Sequence, residues 1–253
     1  MSDVAAATLR LRLLIAYDGR PFRGWQSQAT GDAVQDHLER AFAEIVGRRV
    51  VVHGSGRTDA GVHAVGQVAH VDVPSDQLPF RQWIGALNAR LRDELRVLKI
   101  SRAPATFHAR FGTRGKVYTY RIWNHSVLHP LEIGRVWHMP SAIDRNLLRE
   151  TAKLFVGTHD FASFAANRRQ IERSTVRTIR RVTVSTRGPL ITLRFEGDGF
   201  LYRMVRLLTG TLIRCAQGRA KPSFVSELLD SKGRIKTSFA APAEGLCLTR
   251  VLY

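Results

Sequence analysis

One short segment of the sequence combines a single carboxylate with several glycines. Residues 53–70 read HGSGRTDAGVHAVGQVAH, in which Gly54, Gly56 and Gly61 flank Asp59. Glycine permits backbone angles and close approaches that a side chain would forbid, so such a loop can present a carboxylate to a ligand. A carboxylate placed in this way can act as a nucleophile or as a base. The alternative is a tight turn in which Asp59 only hydrogen-bonds its own backbone.

Other kinds of site do not fit this segment or its neighbours. A P-loop needs a Gly-Lys-Ser/Thr sequence, which the loop lacks, and GSGRTD lacks the third glycine of the dinucleotide-binding motif. His53, His63 and His70 share no metal-ligand spacing with acids or cysteines, so packing or hydrogen bonding is their expected role. Two cysteines, Cys215 and Cys247, are too few for a disulfide framework or a four-cysteine zinc site. The sequence therefore predicts no metal and no cofactor.

Hydrophobic periodicity predicts the elements that must position this loop. Alternating apolar residues predict a strand over 9–17, and helical spacing predicts a helix from an Asp32/Gln35 capping box to Gly47. The remaining predicted strands are 49–53, 67–73, 95–101, 117–123, 177–185, 190–196 and 246–252, and the remaining predicted helices are 80–91, 144–156, 200–215 and a short one that opens at Pro222.

The order of these elements occurs twice. Residues 1–107 read βαββαβ, and residues 108–253 repeat that order with the short helix inserted before the last strand. The segment 102–116, with Pro104 and Gly112, is the predicted junction. This order predicts an α+β fold of two ferredoxin-like (split βαβ) halves, each with a sheet backed by helices.

The charge of the chain indicates a polyanionic partner. Thirty-nine basic and 21 acidic residues give a net charge of +18, and the surplus is concentrated in residues 108–253, at +15, against +3 in residues 1–107. Arginine dominates, with 33 of the 39, which suits bidentate contact with phosphate, although a GC-rich genome would also favour arginine codons. No apolar run approaches the ~20 residues of a membrane span, and the first residues contain no signal-peptide core. The sequence favours a cytoplasmic protein without a membrane partner.

Motifs along the whole chain resemble those of the tRNA pseudouridine synthase A family. The run GRTDAGVHA at 56–64 resembles the catalytic motif of that family. Ser55 stands where the family pattern has Ala, and 124–140 carries no clear motif. The supporting motifs, in family order, are Tyr17-Asp18-Gly19 with Phe22, Gly24, Trp25 and Gln26; Phe107-His108-Ala109-Arg110-Phe111 before Tyr118 and Tyr120; Gly157-Thr158-His159-Asp160-Phe161 with Ser163-Phe164; Gly199 to Arg206; and Ala241 to Leu246 with Val251-Leu252-Tyr253.

This resemblance implies a pseudouridine synthase fold, a reaction and a partner. It implies a homodimer in which the two halves of each chain meet around a central antiparallel sheet, with the active site in the cleft between them. The implied reaction converts uridine to pseudouridine at positions 38 to 40 of the tRNA anticodon stem-loop. Because it breaks the N1–C1′ bond and joins C5 to C1′ in the same molecule, it needs no electron carrier, group donor or metal. Asp59 would either attack C1′ or take the C2′ proton, and the sequence leaves both open.

The resemblance also implies roles for individual residues. Asp59 and Arg206 would be catalytic, with Arg206 paired to the carboxylate; the alternative for Arg206 is a phosphate contact. Tyr118 would lie against the target uracil, Arg57 beside the flipped nucleotide and Leu246 on the opposite side, which would offset the few kcal/mol that extruding a base costs. The arginines expected to bind tRNA phosphates are Arg168, Arg169, Arg173, Arg177, Arg180 and Arg181.

Two other functions fit parts of the sequence. A non-catalytic RNA-binding protein with paired RRM-like units would use the aromatic strand RGKVYTY at 114–120, although Lys116 and Val117 depart from that pattern, and it would tolerate loss of Asp59. An RNA or nucleoside glycosidase would share a carboxylate that attacks C1′, but it would release free base and usually employ a second acid. No second carboxylate follows the glycine loop before Asp72.

Overall fold

The computed structural model describes residues 7–166 and 174–253, and this part of the chain divides into two compact units. The first unit contains the residues up to Thr113 together with Leu248–Tyr253, and the second is Arg114–Cys247. The predicted halves, 1–107 and 108–253, were defined by a repeated order of strands and helices, whereas these two units are defined by compactness. The repeat of one half in the other therefore stays a prediction.

The first unit is built on an antiparallel sheet. Its elements are β1 (Thr8–Tyr17), α1 (Val34–Val46), β2 (His53–Gly54), β3 (His63–Pro74), α2 (Trp83–Asn88), β4 (Leu95–Arg102) and residues 248–252 of β10 (Leu246–Leu252). Its strands are ordered β4-β1-β3-β10, and β1 pairs antiparallel with both β3 and β4. Leu11, Leu13 and Ile15 are fully buried. The alternation that predicted β1 therefore identifies its core face correctly.

The start of α1 differs from the predicted capping box. The cap is Ala33, and its amide donates a hydrogen bond to Asp36 Oδ2 at 3.0 Å. Asp36 is the third residue after this cap, which is the position from which an acidic side chain reaches back to the first free amide. The predicted pair, Asp32 and Gln35, stands one residue too early. The predicted end at Gly47 is confirmed, since this residue has a φ of 74°.

Two other predicted elements of this unit are shorter than the sequence indicated. The predicted strand 49–53 is reduced to β2, although Val50 and Val52 are buried, so their alternation reflects packing without a strand ladder. The predicted helix 80–91 is a 3-10 turn followed by α2, which ends at Asn88. The side chain of Asn88 hydrogen-bonds both backbone groups of Val97 in β4 at 2.9 Å, and so fixes the end of the helix to the sheet.

Within the described residues, the second unit contains a set of antiparallel strands and three helices. Its elements are β5 (Gly115–Trp123), β6 (Trp137–His138), α3 (Arg145–Lys153), β7 (Gly157–Asp160), β8 (Val176–Arg187), β9 (Leu190–Gly197), α4 (Met204–Ala216) and α5 (Ser223–Asp230). The strands are ordered β5-β9-β8-β7, and β6 runs parallel beside β5. The sequence did not predict β6 and β7, because both are too short to show an alternation.

Helix α4 begins four residues later than the prediction of 200–215. Arg203 has a φ of 58°, which lies in the left-handed region, so the helix cannot extend back through it. Most of the residues of α4 are buried, which makes it the central helix of the unit.

The described chain thus combines extensive sheet with few helices. The predicted α+β class is confirmed. None of the helices within the described ranges is long and apolar enough to cross a membrane.

Candidate active site

The loop that carries Asp59 connects β2 to β3 in the first unit, and the residue before Asp59 is anchored twice. The hydroxyl of Thr58 lies 2.8 Å from the hydroxyl of Tyr17, in a buried hydrogen bond, and the carbonyl of Thr58 accepts from the amide of Trp25 at 3.1 Å. The carbonyl of Asp59 accepts from the amide of Val62, which closes a turn directly after the carboxylate. The position of the Asp59 backbone is therefore fixed by neighbours on both sides.

The segment after β1 presses so closely on this loop that two of its positions require glycine. Gly24 has a φ of 87°, and a Cβ there would lie 2.6 Å from the carbonyl oxygen of Thr58. A Cβ at Gly19 would overlap the carbonyl of Val62. Since backbone carbonyls cannot yield as a flexible side chain can, these two glycines allow the segment and the loop to touch along their main chains.

Two buried polar side chains, those of Ser55 and Gln67, support the first residues of the loop. The hydroxyl of Ser55 donates to Gln67 Oε1 at 2.7 Å, and Gln67 Nε2 donates to the carbonyl of Gly56 at 3.0 Å. Both side chains are fully buried. Ser55, which departs from the family pattern, therefore has a defined partner and adds a hydrogen bond to the support of the loop.

The histidine that follows the loop is also held in place. The amide of Gly19 donates to His63 Nδ1 at 3.0 Å, which orients the imidazole of the first residue of β3. Burial acts to raise the pKa of the neighbouring Asp18, but hydrogen bonds and charge from Arg20 outweigh it and the pKa is lowered. The contact of Arg20 Nη2 with Asp18 Oδ2 is 2.5 Å. His63 thus has the hydrogen-bonding role expected from the sequence.

The other two histidines of the segment pack against each other. The rings of His53 and His70 stack at 4.9 Å with an interplanar angle of 20°, and His70 Nδ1 accepts from the amide of Ala109 at 3.2 Å. Burial, together with the nearby His108 and His53, lowers the pKa of His70 to about 4. Within residues 7–166 and 174–253, no group of three or more His, Cys, Asp or Glu side chains is placed to hold a metal ion.

The two predicted site residues of the first unit are accessible to differing degrees. Arg57 is exposed and Asp59 is partly exposed. A partly exposed carboxylate on a rigid backbone can reach a ligand without first rearranging, which favours chemistry over a purely structural turn.

The other three predicted site residues belong to the second unit. Tyr118, in β5, is 7% exposed and packs edge-to-face on Phe200, with ring centroids 5.2 Å apart. Arg206, in the first turn of α4, donates from Nε to the carbonyl of Ala241 at 2.7 Å, and the amide of Ala241 donates back to the carbonyl of Arg206 at 3.0 Å. Leu246 is buried at the start of β10.

The segment 241–246 connects Arg206 and Leu246 with Tyr120 of β5. The hydroxyl of Tyr120 donates to the carbonyl of Pro242 at 2.8 Å, and the ring lies so close to Gly245 that a Cβ there would be 2.6 Å from it. Burial raises the pKa of Tyr120 well above its usual value, although Arg206 opposes the shift, so this hydroxyl stays a donor. One turn therefore ties Arg206, Tyr120 and Leu246 into a single framework within the unit.

Comparison with known proteins agrees with these motifs. The model of a family described as tRNA pseudouridine synthase matches residues 13–112 and 151–253. The chain belongs to this tRNA pseudouridine synthase family. A protein of Akkermansia muciniphila named tRNA pseudouridine synthase A is 44% identical over 251 residues, which are 96% of this chain and 95% of the relative. A protein of the same name from Geobacillus kaustophilus is 42% identical, over 97% of this chain and 95% of the relative.

The tRNA pseudouridine synthase match includes four of the five predicted site residues. Arg57, Asp59, Arg206 and Leu246 lie inside the two matched ranges, whereas Tyr118 lies between them. A protein of Clostridium perfringens named tRNA pseudouridine synthase A 2 is 37% identical over 96% of this chain and 99% of its own length, so the likeness to curated relatives extends through the intervening residues.

The structure describes three of the six arginines that were predicted to bind tRNA phosphates. Arg168, Arg169 and Arg173 lie outside the described residues. Arg180 and Arg181 are exposed on β8, and Arg180 Nη2 donates to the carbonyl of Arg114 at 2.7 Å. Arg177 Nη1 donates to the carbonyls of Ser174 and Val176.

Sequence reasoning missed the residues that support the site through main-chain contacts. Thr58, Tyr120 and Ala241 all act in this way, and no periodicity or composition distinguishes them. The only available signal was their position inside the family motifs.

Proposed function

We propose that the protein isomerises uridine to pseudouridine in the anticodon stem-loop of tRNA, at positions 38 to 40. The observation that carries this proposal is membership of the tRNA pseudouridine synthase family over most of the chain, with relatives named tRNA pseudouridine synthase A. The positions in tRNA follow from the resemblance of the motifs to that family. A homodimer in the cytoplasm, without a cofactor, is part of the same proposal.

In this proposal Asp59 begins the chemistry. Its carboxylate either attacks C1′ of the target nucleotide or takes the C2′ proton, and the N1–C1′ bond breaks. The uracil then turns, C5 bonds to C1′, and loss of the C5 proton with protonation of N1 completes the isomerisation. The double anchoring of Thr58 and the turn closed by Val62 support this role, because a preorganised charge costs no reorganisation during the reaction. Arg57, exposed two residues earlier, is proposed to lie beside the flipped nucleotide.

Arg206, Tyr118 and Leu246 complete the proposed site. Arg206 supplies the positive charge that pairs with the Asp59 carboxylate, and its bond to Ala241 supports this because it orients the planar guanidinium. Tyr118 holds the uracil by stacking, a contact worth ~1–3 kcal/mol per base. Leu246 packs on the opposite side of the base.

The net charge of +18 supports tRNA as the substrate. Phosphate contacts supply the sequence-independent part of nucleic-acid binding, and arginine forms them in bidentate geometry.

The decisive experiment compares two Asp→Asn variants on an unmodified tRNA transcript. Asp59→Asn should abolish pseudouridine, mapped as its carbodiimide adduct, while tRNA binding is largely kept, because the change removes a charge and preserves shape. Asp76→Asn makes the same change in the exposed turn after β3 and should leave product formation unchanged. Turnover by Asp59→Asn would remove this residue from catalysis. Release of free uracil would indicate a glycosidase, and binding without any product by the unaltered protein would indicate a non-catalytic RNA-binding module.

A further inference from the structure

The second unit contains a cavity that the proposed isomerisation does not use. Its volume is about 410 Å³, within the ~300–1,000 Å³ range of small-molecule sites. One side of the cavity is formed by β6 and the residues that follow it, and the other side by the C-terminal end of α4. The residues that give it its chemistry are Trp137, Phe239, Arg214, Arg219 and Gln217.

Two aromatic rings, together with Met139 and Pro140, form the apolar part of the wall. Trp137 and Phe239 have ring centroids 5.8 Å apart at an angle of 45°; Trp137 is partly exposed and Phe239 is exposed. Phe239 rests on α4 at Gly210, where a Cβ would overlap its backbone, so the helix surface fixes its position. Trp137 is fixed by β6, which pairs with Ile122 of β5.

The polar rim is already connected by hydrogen bonds. Gln217 Nε2 donates to the hydroxyl of Ser141 at 2.7 Å, and the amide of Asp144 donates to the carbonyl of Ala216 at 2.9 Å. Asn124 Nδ2 donates to the carbonyl of Ser141 at 2.8 Å. These bonds join the two sides of the cavity, so its shape exists before any ligand binds, and preorganisation reduces the entropy cost of binding.

The charge of the cavity is positive and uncompensated. Arg214 and Arg219 line it, and no Asp or Glu does so in the described part of the chain. Among residues 7–166 and 174–253, neither guanidinium has an ion-pair partner. Two such groups beside two aromatic rings match a ligand that has both a planar ring and a phosphate, since guanidinium binds phosphate bidentately and bases stack on aromatic faces.

The geometry points to a nucleotide-binding site in this cavity, in which Trp137 and Phe239 contact the base and Arg214 and Arg219 bind the phosphate. The bound group is either a nucleotide within an RNA strand or a free nucleotide, because the same side chains would contact the base and the phosphate in both. The site is separate from the residues proposed for isomerisation and its binding test needs no turnover, so failure of one proposal can be distinguished from failure of the other.

Tryptophan fluorescence of the full chain, titrated with adenosine 5′-monophosphate, tests the proposal. We expect saturable quenching, at least tenfold weaker binding of adenosine, and loss of the quenching in Trp137→Phe. Calorimetry should show that Trp137→Phe still binds the nucleotide, because the phenyl ring keeps a stacking face. An adenine nucleotide is used because the proposed catalytic site accepts uridine.

Two double variants that remove the same charge provide the control. Arg214→Gln/Arg219→Gln should weaken binding of the nucleotide at least tenfold, whereas Arg48→Gln/Arg187→Gln, which removes two exposed arginines elsewhere, should change it less than twofold. Equal weakening by both would show that only net charge matters and would overturn the site. Loss of thermal stability in the first variant with unchanged binding would make these arginines a support of the end of α4, and would also overturn it. Absence of quenching by millimolar nucleotide in the unaltered protein would do the same.

The source of the nucleotide is decided by competition. With a tRNA transcript added to the Asp59→Asn variant, displacement of adenosine 5′-monophosphate would identify a nucleotide of the RNA strand as the occupant. Simultaneous binding of both would identify the free nucleotide. Either outcome supports the cavity as a nucleotide site and differs only in what fills it.

Discussion

Replacing Gly24 by alanine adds one methyl group directly against the Asp59 loop. The new Cβ would lie 2.6 Å from the carbonyl oxygen of Thr58, where ordinary contact begins at 3.4 Å, so that carbonyl has to retreat by about 0.8 Å. A misplacement near 1 Å can cost about 10²-fold in rate, because reacting groups must be held at close range. We therefore expect Gly24→Ala to lower kcat/KM on tRNA by ~10–100-fold.

The φ of 87° at this position also strains any residue with a side chain, and Gly47→Ala separates that effect from the contact. Gly47 has a φ of 74° in the same unit, and a Cβ there meets nothing within 4 Å. Both variants should lose ~1–2 kcal/mol of unfolding free energy through left-handed backbone strain. Only Gly24→Ala should lose more than this and also lose activity per folded molecule.

Urea unfolding and initial rates of pseudouridine formation measure the two effects separately. If Gly24→Ala were fully folded and as active as Gly47→Ala, the close contact would not position Asp59, and the reasoning from the loop geometry would be refuted.

Three further predictions concern charge and protonation. Arg206→Ala should reduce kcat on tRNA much more than tRNA affinity, measured by single-turnover rates and filter binding; equal losses would make Arg206 a phosphate contact. The affinity for tRNA should fall with salt by ~0.7–0.9 log units per neutralised phosphate per decade of salt, and a flat response would separate the +18 charge from RNA binding. Burial and the neighbouring histidines lower the pKa of His70 to about 4 in the folded chain, against about 6.5 in the unfolded chain. Between these two pH values the unfolded chain binds a proton that the folded chain does not. The free energy of unfolding should therefore fall as the pH falls through this window, by up to about 3 kcal/mol. Urea unfolding at pH 7 and pH 4.5 should show the loss, and His70→Asn, which can still accept from Ala109, should reduce it; identical pH dependence in both proteins would contradict this prediction.

The regular helices and strands could be predicted because an element buried on one face carries apolar residues at a regular spacing along the sequence. Leu11, Leu13 and Ile15 alternate with more exposed neighbours, and β1 follows them closely. The same rule was wrong for Val50 and Val52, which alternate and are buried but form no strand there. Burial sets the period, whereas a strand also needs a partner with which to form hydrogen bonds, and the sequence does not identify that partner.

The candidate site could be predicted at the level of its motifs but not of its supports. Composition drew attention to the glycine loop around Asp59 but left a tight turn open, and the catalytic role was predicted only from the resemblance of residues 56–64 to the family motif. The bond from Tyr120 to Pro242 joins residues 122 positions apart, and the acceptor is a main-chain carbonyl that every residue type has. Such contacts depend on how distant segments pack, which is decided only in the folded chain.

The position of β10 has a consequence for synthesis on the ribosome. Residues 248–253 belong to the first unit, where β10 is the neighbour of β3, Tyr253 donates to the carbonyl of Ala109 at 2.7 Å and Arg12 lies over its ring. At 5–20 residues per second, the translation of residues 114–247 delays this strand by roughly ten seconds. During that interval the edge of β3 lacks its neighbour, and an unpaired edge is prone to pair with other chains. A fragment that stops at Thr113 should therefore aggregate, and adding a peptide of residues 246–253 should restore its solubility.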